Sequence, residues 1–84
     1  MTYSVSIRQS AAKALTKIAR DDQLRIIGAI DQLGANPAAG GVLKGEYAGL
    51  RRIRVGNYRV VYEVQDQKLV VLVVRIGHRR EVYR

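Results

Sequence analysis

The chain contains no cysteine, which removes disulfides, thiolate nucleophiles and sulfur-ligated metals together. Its single histidine, His78, cannot build a zinc site alone. Acidic residues are scarce, with 7 Asp and Glu against 15 Lys and Arg, a net charge of +8. So few carboxylates make a metal cofactor unexpected. Long apolar runs are missing as well. The longest, Leu69 to Val74, is far too short to cross a bilayer, and Met1-Thr2-Tyr3-Ser4-Val5 lacks the basic head of a signal peptide. What remains is a small, soluble, basic chain suited to a reducing cytoplasm. At 84 residues it is expected to form one domain, 1–84, near the lower limit of what one core supports.

The first half reads as a strand and two helices. Tyr3-Ser4-Val5-Ser6-Ile7 alternates apolar and polar residues, as a half-buried strand does. Ala11, Leu15 and Ile18 then follow helical spacing, with Lys13, Lys17 and Arg20 between them. Asp21-Asp22 interrupts this helix and offers a cap for the next. In the second helix Leu24, Ile27, Ile30 and Leu33 form the predicted apolar stripe, widened by Ile26. Gly34 is expected to end it as a left-handed cap, and Asn36-Pro37 blocks continuation. Ala38-Ala39-Gly40-Gly41 reads as a flexible joint within one domain.

The second half predicts a meander of three strands. Gly56-Asn57 is a two-residue hairpin signal. It sets Val55 opposite Tyr58, Arg54 opposite Arg59, Ile53 opposite Val60 and Arg52 opposite Val61. Directly opposed residues share a face. Arg52, Arg54 and Arg59 therefore project from one side, and Ile53, Val55, Tyr58, Val60 and Tyr62 from the other. The apolar side should receive the helices, leaving a cationic floor behind. A second two-residue turn at Asp66-Gln67 would pair Glu63 with Val70 and Arg59 with Val74. Without a bulge, for which Gly77 is the candidate site, that register carries Ile76 and His78 to the cationic side. The fold class is α+β, a two-helix hairpin on a small, mostly antiparallel twisted sheet, in the order β-α-α-β-β-β.

Opposed Arg54 and Arg59 repel by about 0.2–1 kcal/mol, a cost that an anion between them would reverse. Arg52, Arg54 and Arg59 are read as a phosphate surface, whereas by residue pattern Lys44, Lys68 and Arg84 read better as solvated edge guards. Near the C-terminus, His78, Arg79 and Tyr83 add groups suited to cutting RNA through its own 2′-hydroxyl. That reaction removes a proton, builds charge on phosphorus and protonates a leaving oxygen. Arginine serves only the charge. Histidine is the natural proton carrier, and tyrosine can donate a proton or stack on a base.

These features in this order resemble the RelE/ParE superfamily of bacterial type II toxins, and within it RelE. The shared features are the first strand, the two helices, Leu43-Lys44-Gly45, the Arg52-Ile53-Arg54 strand, Asn57-Tyr58-Arg59-Val60-Val61-Tyr62, and Gly77-His78-Arg79 through Val82-Tyr83. The resemblance implies a messenger-RNA endonuclease (an interferase) acting in the A site of the small ribosomal subunit without a metal or other cofactor. It implies catalytic roles for Arg59, Arg79 and Tyr83, and RNA contacts for Lys44, Arg52, Arg54 and Arg80. It also implies an acidic RelB-like antitoxin in a hetero-oligomeric complex, with no membrane partner.

One departure bears on mechanism. Relatives often carry lysine where this chain has Arg52 and Arg54, and arginine cannot act as a base. His78 is the expected replacement, with Glu46 and Glu81 as other candidates. Two further functions fit the pattern less well. A ParE-like DNA gyrase inhibitor would need no nuclease residues, and a plain RNA-binding module would need the basic face but not His78 and Tyr83.

Overall fold

A computed structural model describes residues 2–78. Strand β1 (Ser4–Ile7) leads into helices α1 (Gln9–Thr16) and α2 (Arg20–Ala35). Strands β2 (Gly41–Val42), β3 (Arg51–Val55), β4 (Tyr58–Gln65) and β5 (Val70–His78) follow. They form one five-stranded sheet in the order β1-β5-β4-β3-β2. Only the β1–β5 pair is parallel; α1 and α2 carry the chain from β1 at one edge of the sheet to β2 at the other, and the antiparallel run back through β3 and β4 brings β5 in beside β1. The expected α+β order is present, and the two-residue β2 adds an edge strand that the sequence did not signal.

Ala11, Leu15, Ile26, Ile30 and Leu33 of the helices pack against Val60, Tyr62, Val71, Val73 and Ile76 of the sheet. Burying a side chain of this kind is worth about 1.5–3 kcal/mol. The buried face of α2 is Ile26, Ile30, Leu33 and Gly34. Leu24 and Ile27 instead lie outside, 55% and 39% exposed, because the inward stripe starts from Ile26. No helix among the described residues is long and apolar enough to cross a membrane.

Three local expectations change. Asp21 and Asp22 do not cap α2; Ala19 holds the cap position, and the two aspartates sit in the first turn, where they favour the helix dipole. Gly34 is not left-handed. It lies within α2 beneath β1, and a Cβ there would stand 2.9 Å from the Tyr3 carbonyl oxygen. The Tyr3 amide donates to the Gly34 carbonyl at 2.7 Å, so close backbone approach explains the glycine. The joint at Ala38–Gly41 is anchored, not flexible. Fully buried Tyr62 donates its hydroxyl to the Pro37 carbonyl at 2.8 Å and accepts the Gly40 amide at 2.9 Å. Arg51, on the helix side, holds the Gly40 carbonyl at 2.8 Å.

The β3–β4 hairpin has the expected register, Val55 to Tyr58 through Arg52 to Val61. Gly56 takes the positive φ of 58° that the first central position of a type II′ turn requires. The β4–β5 connection differs. Gln65 pairs with Val70, so the loop is the four residues 66–69, closed by the Lys68 amide on the Gln65 carbonyl and the Leu69 amide on the Asp66 carbonyl. Leu69 adopts φ 53°, a conformation costing about 1–2 kcal/mol in a side-chain-bearing residue. Two bonds to β1 offset it, from the Tyr3 hydroxyl to Asp66 at 2.5 Å and from the Ser4 amide to the Leu69 carbonyl at 2.8 Å.

A second change follows along β5. Tyr62 pairs with Val73 but Val61 pairs with Arg75, leaving Val74 as an extra residue. One inserted residue exchanges the faces of everything beyond it. Ile76 therefore enters the core and His78 joins Tyr58 on the helix side, while Arg75 crosses to the floor. The bulge lies where β1 stops, since Ile7 pairs with Val73 and the Arg8 amide closes on the Val73 carbonyl at 2.8 Å.

Candidate nucleic-acid interface

Strand register builds the floor row by row. Gly41, Arg52, Val61 and Arg75 face one another across β2 to β5. The next row is Arg54, Arg59 and Gly77. Among the described residues four arginines thus share the side opposite the helices, with Arg75 added to the three that the sequence indicated. Arg75 was hidden in an apolar run, and only the bulge at Val74 brings it round.

The four differ in exposure. Arg54 and Arg75 are exposed and Arg52 and Arg59 half-buried, with Nε and Nη1 of Arg59 shut off from solvent. Between Arg52 and Arg75 lies Val61, 1% exposed although it faces away from the helices. Its row neighbours on both sides are arginines, whose long stems are able to cover apolar surface. A guanidinium beside such a surface acts through a lower dielectric than one in bulk water, and so attracts an anion more strongly. Glu63 shares the floor, and its Oε1 accepts a hydrogen bond from Gln65 Nε2 at 2.6 Å.

The other candidates lie elsewhere. Lys44 and Glu46 are exposed in the β2–β3 connection, outside the paired rows. Arg79, Arg80, Glu81 and Tyr83 lie outside the described residues. His78 is displaced from the floor. It meets Tyr58 edge-on, with ring centroids 5.8 Å apart and planes at 77°. Together they line a cleft of about 520 Å³ with Lys13, Lys17, Ser10 and Gly77. Among the described residues, no three His, Cys, Asp or Glu side chains come together to hold a metal.

A floor of fixed guanidiniums over a small sheet suits a phosphodiester chain. The chain as a whole has known relatives. The family model described as the ParE toxin of the type II toxin–antitoxin system parDE matches residues 5–83. The chain belongs to the RelE/ParE family of type II toxins. This RelE/ParE-family toxin is 31% identical over 90 residues to Toxin RelG of Mycobacterium tuberculosis, covering 100% of this chain and 99% of that one. Its fold is similar to the toxin–antitoxin complex RelBE2 from the same organism, with TM-score 0.86 at 28% identity, covering 94% of this chain and 100% of that one. It is also similar to the archaeal RelE-RelB complex from Pyrococcus horikoshii, with TM-score 0.80 at 31% identity, covering 98% and 100%.

Proposed function

We propose that this toxin is a metal-independent endoribonuclease that cuts messenger RNA in the ribosomal A site and so stops translation. The observation that carries this reading is the arginine floor, Arg52, Arg54, Arg59 and Arg75, on the side of the sheet opposite α1 and α2. Likeness to Toxin RelG over the whole chain and to RelE structures supports it.

In this reading a single strand of RNA lies over the floor with the scissile phosphate at the Arg54–Arg59 pair. The 2′-oxygen attacks phosphorus, the bond to the 5′-oxygen breaks, and a cyclic phosphate and a 5′-hydroxyl result. Negative charge grows on the non-bridging oxygens, and Arg59, with two nitrogens out of solvent, is the group assigned to stabilise it. Losing such a donor typically costs about 10²–10³ in rate. Arginine moves no proton at this step. We assign to Tyr83 the protonation of the leaving 5′-oxygen, while the 2′-proton passes to water, with Arg79 on the phosphorane and Lys44 and Arg80 as further phosphate contacts. His78, behind the sheet, is assigned no proton transfer at the floor.

A chain of net charge +8 calls for an acidic partner when it must be silent. We assign that role to a RelB-like antitoxin in a hetero-oligomer, in keeping with the RelB partner in the P. horikoshii relative.

The test is induced expression followed by mapping of message ends. Cleavage inside codons with cyclic phosphate ends is expected. The ParE description of the matched model favours a second reading, a gyrase-directed toxin. Intact messages together with trapped gyrase–DNA complexes would decide for it.

A further inference from the structure

The cleft behind the sheet is unused by the chemistry assigned to the floor. Its walls are Ser10, Lys13, Ala14, Lys17 and Ile18 of the α1 region and Tyr58, Ile76, Gly77 and His78 of the strand ends. Lys13, in the last turn of α1, and Lys17, at its C-cap, line the same cleft, and both residues are exposed. Across from them is an aromatic pair, Tyr58 and His78. Two cations facing two rings is the combination that single-stranded nucleic acid recognises, through backbone phosphates and a stacked base. The cleft, at about 520 Å³, falls within the usual range of about 300–1,000 Å³ for small-molecule sites.

Gly77 connects the two surfaces. It lies opposite Arg59 in the floor register and also lines the cleft. Having no side chain, it puts nothing beside Arg59 at that end of the two strands. Tyr58 and Arg59 are consecutive on β4 and point to opposite faces, so the end of this strand divides floor from cleft.

We infer that the cleft between α1 and the ends of β4 and β5 is a second RNA subsite, holding a nucleotide of the same strand beyond the phosphate at the floor. This rests on the RNA-binding reading above. Lys13 and Lys17 hold its phosphates, while Tyr58 and His78 take its base. An acidic peptide would satisfy the lysines but leave the ring pair without a role.

The experiment compares the wild type, the double variant Lys13→Gln/Lys17→Gln and the floor variant Arg54→Ala, each checked by thermal melting. Ligands are two non-cleavable RNAs, one just long enough to cover the floor and one several nucleotides longer, titrated over a salt series. The lysine variant is expected to bind the short RNA as the wild type does and the long RNA more weakly. Its salt slope on the long RNA should fall by about 1.4, from about 0.7 for each of two phosphate contacts. Arg54→Ala should weaken both RNAs. If only Arg54→Ala weakens binding, the cleft inference is overturned and the floor stands. Should neither variant weaken binding, the RNA reading falls and the subsite with it. Loss of affinity for an acidic antitoxin, with long-RNA binding intact, would make the cleft a protein site and overturn the inference.

Discussion

His78 stands opposite Tyr58 across β4 and β5 and turns its ring edge-on toward it, on the side of the sheet away from Arg54 and Arg59. A general acid or base must reach the reacting atoms directly or through one water, and a side chain on the opposite face does not. His78→Ala is therefore expected to slow single-turnover cleavage less than tenfold, whereas a proton carrier would cost about 10²–10⁴. Arg59→Ala should show the larger loss. Rapid-mix cleavage on ribosomes separates the two cases, and a fall of a thousandfold in His78→Ala would return the proton to His78.

Tyr62 joins the floor to the chain that leads into it. Its buried hydroxyl bridges Pro37 and Gly40, and a Cβ on Gly40 would lie 2.6 Å from the Arg52 carbonyl oxygen and 2.7 Å from that hydroxyl. Tyr62→Phe leaves the Gly40 amide without this acceptor, which should cost about 1–3 kcal/mol in urea unfolding. Gly40→Ala should cost a similar amount through overpacking. Because it presses on β3 at Arg52, it should also weaken RNA binding. Retention of full affinity would show that Arg52 holds its place without the joint.

What the sequence revealed, and what it concealed, follows from how far each signal reaches. Gly56-Asn57 fixed a turn of two residues, and the pairing from Val55 to Arg52 followed by counting. Asp66-Gln67 was an equally local signal, but the loop is closed from outside, by Tyr3 and Ser4 of a strand more than sixty positions away. The bulge at Val74 is of the same kind, lying where the partner strand β1 ends. Each displaced Arg75 and His78 relative to the count, and neither has a local sequence mark. Gly34 and Gly40 carry no turn, so their reason, backbone passing close beside them, is visible only once the elements are packed. The arginine cluster was legible because it depends on one tight hairpin.

The Tyr3–Asp66 bond gives stability a distinct alkaline limit. Hydrogen bonding to the Asp66 carboxylate raises the Tyr3 hydroxyl above its ordinary value of 10.0, with desolvation and the carboxylate charge acting in the same direction. A raised acid binds its proton more tightly in the folded state, so its contribution is complete below the unfolded value and is lost as pH rises through the folded one. Wild type should thus exceed Tyr3→Phe in stability by a constant margin from neutrality to about pH 9, and the margin should shrink above about pH 10. Denaturant melts across that range check it. A margin that persisted unchanged well above the folded value would mean that the bond does not stabilise this loop.

Arg75 is the sharpest test of the floor, because only the register beyond the bulge places it there. Lys68 is an equally exposed cation in the β4–β5 loop, off the paired rows, and serves as its control. If RNA phosphates lie across the row of Arg52 and Arg75, Arg75→Ala should lower the salt slope by about 0.7, while Lys68→Ala leaves it unchanged. Arg75→Lys should restore most of the slope, since a point charge still pairs with phosphate, but less of the affinity, since a forked contact is lost. The same variant bares Val61, so a small loss of stability should accompany Arg75→Ala and be recovered in Arg75→Lys through its alkyl stem. Equal slopes for Arg75→Ala and Lys68→Ala, both folded, would confine the phosphate surface to the Arg52, Arg54 and Arg59 side of β4.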